Sequence, residues 1–161
     1  MDVADTALAQ ELTIETKAID MVAASYEAWH QAALMREAVA VAKKKMGSEV
    51  KALEDFDKKA LVLQGGEGGF GGGGGRGARQ RPTFAGLNRN FGSLATTIDG
   101  QDAAPTPAMQ TAYEDYCKDL ATTVAGWNEL IKTDLPGVNG ELAKQRLAPL
   151  PGTVLAAPAC K

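Results

Sequence analysis

The chain has a single histidine, His30, and only two cysteines, Cys117 and Cys160, in 161 residues. One histidine cannot supply the repeated Glu-x-x-His pairs of a di-metal helical bundle within one chain. A Ser-His-Asp triad would have to be gathered around that one imidazole from distant positions, and the haem-attachment spacing Cys-x-x-Cys-His is missing. Aromatic residues are 6% of the chain, and alanine supplies much of the 45% that is hydrophobic. A thin helical core is expected, not a thick sheet sandwich. No run approaches the ~20 consecutive apolar residues of a membrane span. A net charge of −3 and a pI near 5.2 offer no basic face to nucleic acid. The opening "MDVADTALAQEL" has acids where a signal peptide has a basic start, so it reads as a cytosolic chain or as an internal or mature piece.

What the chain does have is helical periodicity. No proline or glycine interrupts residues 6–46. Leu12, Ile19, Val22, Tyr26, Trp29 and Ala33 recur at spacings of three, four and seven, which predicts one buried face of a long helix. Met35, Val39, Ala42 and Met46 continue it with a phase shift, and "KKKMG" closes it with lysines at the negative helix end and a C-cap glycine. Ser48 is the expected N-cap of a second helix with Val50, Leu53, Phe56, Ala60 and Leu63 inward. Thr83 caps a third, carrying Leu87, Phe91, Leu94 and Ile98, weakened by Gly86 and Gly92. Thr106-Pro107 opens a fourth, whose stripe is Met109, Tyr113, Tyr116, Leu120, Val124, Trp127 and Ile131. Leu135-Pro136 kinks it, and Val138, Leu142 and Leu147 extend the stripe. "PLPGTVLAAPACK" has no period and three prolines, so it reads as an extended, flexible tail.

The stretch that looks most chemical is "QGGEGGFGGGGGRGARQRP", residues 64–82. It lacks the lysine of a P-loop and the preceding strand of a dinucleotide fingerprint, and one "GRG" is not a repeated RNA-binding tract. It reads as a tether. Glu27 and His30 in "EAWH" have metal-ligand spacing, but a di-metal site would need a second pair from another copy. Carboxylates at Glu11/Glu15 and at Glu114/Asp115/Asp119 read as solvated helix faces. Tyr26, Trp29, Tyr113, Tyr116 and Trp127 fall on the stripes as core, and Cys117 and Cys160 read as two independent thiols.

The second half, from "LNRNFGSLATTIDGQDAAPTP" through "AGWNELIKTDLPGVNGELAKQRLAPLP", resembles the C-terminal helical region of bacterial exported BNR-repeat, sortilin/VPS10-like β-propeller proteins, often labelled glycosyl-hydrolase-like. The matching stretches are Leu87-Asn88, Asp102 to Thr106, and Asp134-Leu135-Pro136 with Asn139. Met35-Arg36 is similar to a pair in the long helix that opens that region. The resemblance spans residues 8–151 and omits the propeller, so it brings no catalytic residue. It implies an exported, periplasmic or extracellular, setting.

The expected fold is therefore all-α. It is an antiparallel four-helix bundle of helices 6–46, 48–63, 83–99 and 107–134, within one domain, 1–151. That domain comprises a helical pair 6–63, a glycine-rich linker 64–82 and a second pair 83–147, followed by a flexible tail, 152–161. No catalytic, cofactor-binding or metal-binding residue is expected. The expected role is a non-catalytic interaction or accessory module with a protein partner or with itself, and without nucleic acid. The alternatives are a stand-alone subunit that oligomerises through helix faces and, third, a metalloprotein using Glu27 and His30.

Overall fold

The computed structural model describes residues 5–47, 50–65, 81–101 and 103–160, and every regular element among them is an α-helix. They are α1 (Asp5–Met46), α2 (Lys51–Gln64), α3 (Phe84–Asp99), α4 (Pro107–Thr133) and α5 (Leu135–Lys144). The four expected helices are present, with α5 as the kinked extension of the fourth. At about 1.5 Å per residue, α1 is roughly 63 Å long, and α2 and α3 together cover most of that length.

Cross-links between side chains fix the directions. Arg36 of α1 donates to Asp57 and Gln64 of α2, at 2.7 and 2.8 Å, so α2 folds back along α1. Asn88 of α3 reaches Val22 and Ser25 further toward the start of α1. Thus α3 continues where α2 stops. A long fourth side then returns: Gly126 of α4 lies against Leu63, and Lys59 of α2 pairs with Asp134 at the end of α4. The bundle is three helices thick at each level, because α2 and α3 lie end to end.

The junction between α2 and α3 explains what the glycine tract spans, which is no distance at all. Gly65, at φ +82°, ends α2. A Cβ there would sit 2.6 Å from Thr83 Oγ1, so the two ends of the tract touch. The expected tether itself, residues 66–80, lies outside the described residues. Thr83 then caps α3 by accepting from the Gly86 N–H at 3.1 Å, and Thr106 caps α4 by accepting from Met109 N–H at 3.3 Å, with Pro107 next. The first residue before α2 is Val50, which makes no side-chain cap. The expected cap Ser48 lies outside the described residues.

The stripes of α2, α3 and α4 are buried largely as the periodicity predicts, with Phe84, Cys117, Leu130 and Gln64 added. In the first part of α1 the expected face is wrong. The buried positions are Glu11, Ala18, Met21, Ser25, Ala28, Ala32, Met35, Val39 and Ala42, an unbroken alternation of threes and fours from Ala18 on. Such a 3.5-residue repeat keeps one seam toward its neighbours. Small residues at every seventh position, Ala18, Ser25 and Ala32, let α3 approach closely. Phe84 and Phe91 fill the space that results, and Phe91 meets Tyr113 and Tyr116 of α4 edge-on at 6.2 and 5.7 Å. Ser25, fully buried, is satisfied from both sides: it donates to Met21 carbonyl at 2.7 Å and accepts from Asn88 at 3.2 Å.

Candidate functional site

Two features of the surface demand explanation, and neither is a catalytic cluster. The first is the tail. Beyond α5 the chain is extended, but it is pinned where a loose end was expected. Leu150 is held by both groups of the Asn139 amide: its N–H donates to Oδ1 at 2.8 Å and its carbonyl accepts from Nδ2 at 3.2 Å. Five residues on, Asn128 holds Leu155 in the same two-bond fashion, at 2.8 and 2.9 Å. Between them the Trp127 indole donates to Thr153 carbonyl at 3.1 Å. Five residues further, Cys160 is joined to Cys117 in a disulfide with Cα atoms 5.8 Å apart, within the ordinary range. Its sulfur also rests 3.8 Å from Met21 Sδ of α1.

The register is physically natural. Eleven helical residues separate Asn128 from Cys117, about 16 Å at 1.5 Å each, and five extended residues cover the same length at about 3.3 Å each. The tail therefore runs back along α4 and meets α1 at Met21. The expectation of two independent thiols is corrected: sequence separation alone did not show that the tail returns to mid-α4. Asn128 was not singled out from the sequence, and Asn139 only as part of the family resemblance. Their signal was an amide on the flank of an apolar stripe with an unpaired, proline-rich segment nearby, whose backbone groups need partners.

The second feature is the outer face of α1. Three of the larger apolar residues that periodicity had placed in the core point outward, Leu12 at 64% exposed, Ile19 at 51% and Tyr26 at 54%, and Leu8, 44% exposed, extends the row by one turn. Val22, Trp29 and Ala33 complete the row half-buried, and Trp29 is thus at the margin of the core. The one charged side chain on the row is Glu15, itself half-buried. Ala9, Thr16 and Ala23 beside the row are small. The row stops at Arg36, which is drawn to Asp57. A shallow open groove lined by Val22, Asn88, Arg89, Gly92, Ser93, Thr96 and Thr97 runs alongside, between α1 and α3.

The other candidates disperse. His30 stacks on Tyr26, rings 6.2 Å apart and parallel within 2°, and Glu27 accepts from Gln31 at 2.7 Å. Among the described residues no group of three His, Cys, Asp or Glu side chains stands together. Glu114, Asp115 and Asp119 are exposed, and Asp115 faces Lys118 at 3.6 Å. Glu11 departs from the expected solvated face, being buried, and its Oε2 has no partner among the described residues. The Tyr113 hydroxyl is likewise unpartnered there; burial, helped by the Asp20 carboxylate, pushes its pKa up. A second open depression, between α2 and the α4–α5 kink, is lined in part by the Lys59–Asp134 ion pair.

No protein-family model, curated protein or solved structure matches this chain. Among the described residues no helix is long and apolar enough to cross a membrane.

Proposed function

We propose that this domain is a non-catalytic helical interaction module and that the outer face of α1 is the surface it presents. The observation that carries this reading is the row Leu8, Leu12, Ile19 and Tyr26, continuous over the first two-thirds of α1 and interrupted by one charge. Monomeric surfaces scatter their apolar residues, and contiguous patches mark contacts. The separate seam from Ala18 to Ala42 supplies the core contact of α1, and Leu8, Leu12, Ile19 and Tyr26 are not part of that core. The Cys117–Cys160 disulfide supports placing the module in an oxidising compartment. That setting accords with the resemblance to the C-terminal region of exported propeller proteins, where such a module would serve as an accessory or docking unit.

Site-specific photo-crosslinking tests this. A photoreactive residue at position 19 should form protein adducts, in the purified protein or in extract of the source cells, whereas one at the exposed Asp115 should not. Equal or absent adducts at the two positions would remove the basis for the proposal.

A further inference from the structure

We propose that a second copy of this chain covers the outer face of α1, with the two first helices antiparallel and the two-fold axis passing between Asp20 and Met21. This rests on the interaction reading above and names its partner. The reason is that the face is complementary to itself in one register. Residues 8–33 span about 38 Å. With the axis between Asp20 and Met21, Ile19 meets Val22 of the partner subunit, Leu12 meets the partner's Trp29, and Leu8 meets the partner's Ala33. The bulky aromatic half of one copy lies over the smaller-residue half of the other, as a two-fold interface requires.

The single charge fits the same register. Glu15 comes opposite the partner's Tyr26 hydroxyl and within one turn of the partner's His30, so the carboxylate meets two donors. A parallel arrangement would instead set Glu15 against the partner's Glu15 and Tyr26 against the partner's Tyr26. Beside α3 the groove presents the small residues Gly92, Ser93 and Thr96 together with Arg89. In this register Glu27 and His30 fall about 20 Å or more from their copies along the axis. The dimer therefore does not assemble the shared metal site that their spacing first raised. One helix-wide strip is small for a permanent interface, so the association is reversible.

Sedimentation velocity on the full chain, from about 1 to 200 μM, the span in which small reversible interfaces dissociate, tests the proposal. The wild type should shift from monomer to dimer across that range. Ile19→Lys, which brings two ammonium groups together near the axis, should stay monomeric with unchanged circular dichroism and melting temperature. Tyr26 separates the registers: Tyr26→Lys sits opposite the partner's Glu15 and should dimerise within about threefold of wild type, whereas Tyr26→Glu faces it with a like charge and should lose roughly tenfold or more. A wild type that stays monomeric at about 200 μM, an Ile19→Lys variant that dimerises normally, or equal effects of the two Tyr26 variants would each overturn the proposal. Should the wild type be monomeric while position 19 still crosslinks to a different polypeptide, the second-copy proposal falls and the interaction reading stands. Loss of both removes both.

Discussion

The Cys117–Cys160 bond should be the largest single covalent contribution to stability, and its size follows from the loop it closes. The two cysteines are 43 residues apart, for which restricting the unfolded chain contributes about 4 kcal/mol. In a domain of this size that amounts to a fall in melting temperature of roughly 8–16 °C on reduction. The folded side should lose little. Asn128 and Trp127 still hold Leu155 and Thr153 when the sulfurs part, so only the last turn of the tail is released. Cys160→Ala is the cleaner variant because Cys160 is half-buried, whereas Cys117 is only 4% exposed and its truncation adds a small core defect. The assay is thermal unfolding by circular dichroism with and without a phosphine reductant, with intact mass confirming two free thiols. Reduced protein and Cys160→Ala should melt together, and Cys117→Ala slightly lower. A shift below about 2 °C in fully reduced protein would show that the bond does not constrain the unfolded chain as loop entropy requires.

Trp127 is fully buried and its indole is hydrogen-bonded, so Trp127→Ala should cost about 3–5 kcal/mol in denaturant unfolding. Trp29→Ala, at the margin of the core, should cost clearly less; equal losses would contradict the burial pattern. Asn128→Ala removes both bonds to Leu155 and should cost about 1–2 kcal/mol, with the Leu155 amide becoming fast in hydrogen exchange. The Lys59 ammonium, hydrogen-bonded to Asp134, holds that carboxyl below its ordinary pKa, aided by the Thr133 hydroxyl. Its stabilisation is present above the ordinary carboxylate range, where the unfolded side chain is also ionised, and is lost as pH falls through the depressed value. Asp134→Asn should therefore lower the melting temperature modestly at neutral pH and flatten the acid limb below about pH 4, the two profiles converging at low pH.

Helix ends and three of the four apolar stripes were legible because each depends on local chemistry. Thr83 and Thr106-Pro107 cap the helices they were expected to cap, and Leu87, Phe91, Leu94 and Ile98 form a stripe with no competitor on α3. The disulfide was not legible, because its pairing depends on where the tail runs. That path is set by Asn128, Asn139 and Trp127, whose partners are backbone atoms of a segment without any period. The tract read as a tether of no stated span; its flanking residues Gly65 and Thr83 lie side by side, a closeness that the length of chain between them does not reveal.

The misplaced face of α1 has a more informative cause. Two faces of that helix repeat at spacings of three and four, and hydrophobic size favours the wrong one. Close packing chose the other: burying Leu12, Ile19 and Tyr26 against α3 would push apart the helices that Ala18, Ser25 and Ala32 now allow to touch. It would also strip Asn88 of its bonds to Ser25 and the Val22 carbonyl. The bulky row is thus left over by the fold, and covering it is where its free energy can still be gained. Four side chains roughly half-exposed offer about 1 kcal/mol each on burial, or roughly 8 kcal/mol across two copies. Association costs about 4–15 kcal/mol in lost rigid-body freedom. At the low end of that cost about 4 kcal/mol remains, a millimolar contact, so the micromolar dimer also draws on the half-buried Val22, Trp29 and Ala33 of the same row, and a tight permanent dimer would mean that surfaces other than α1 contribute to it.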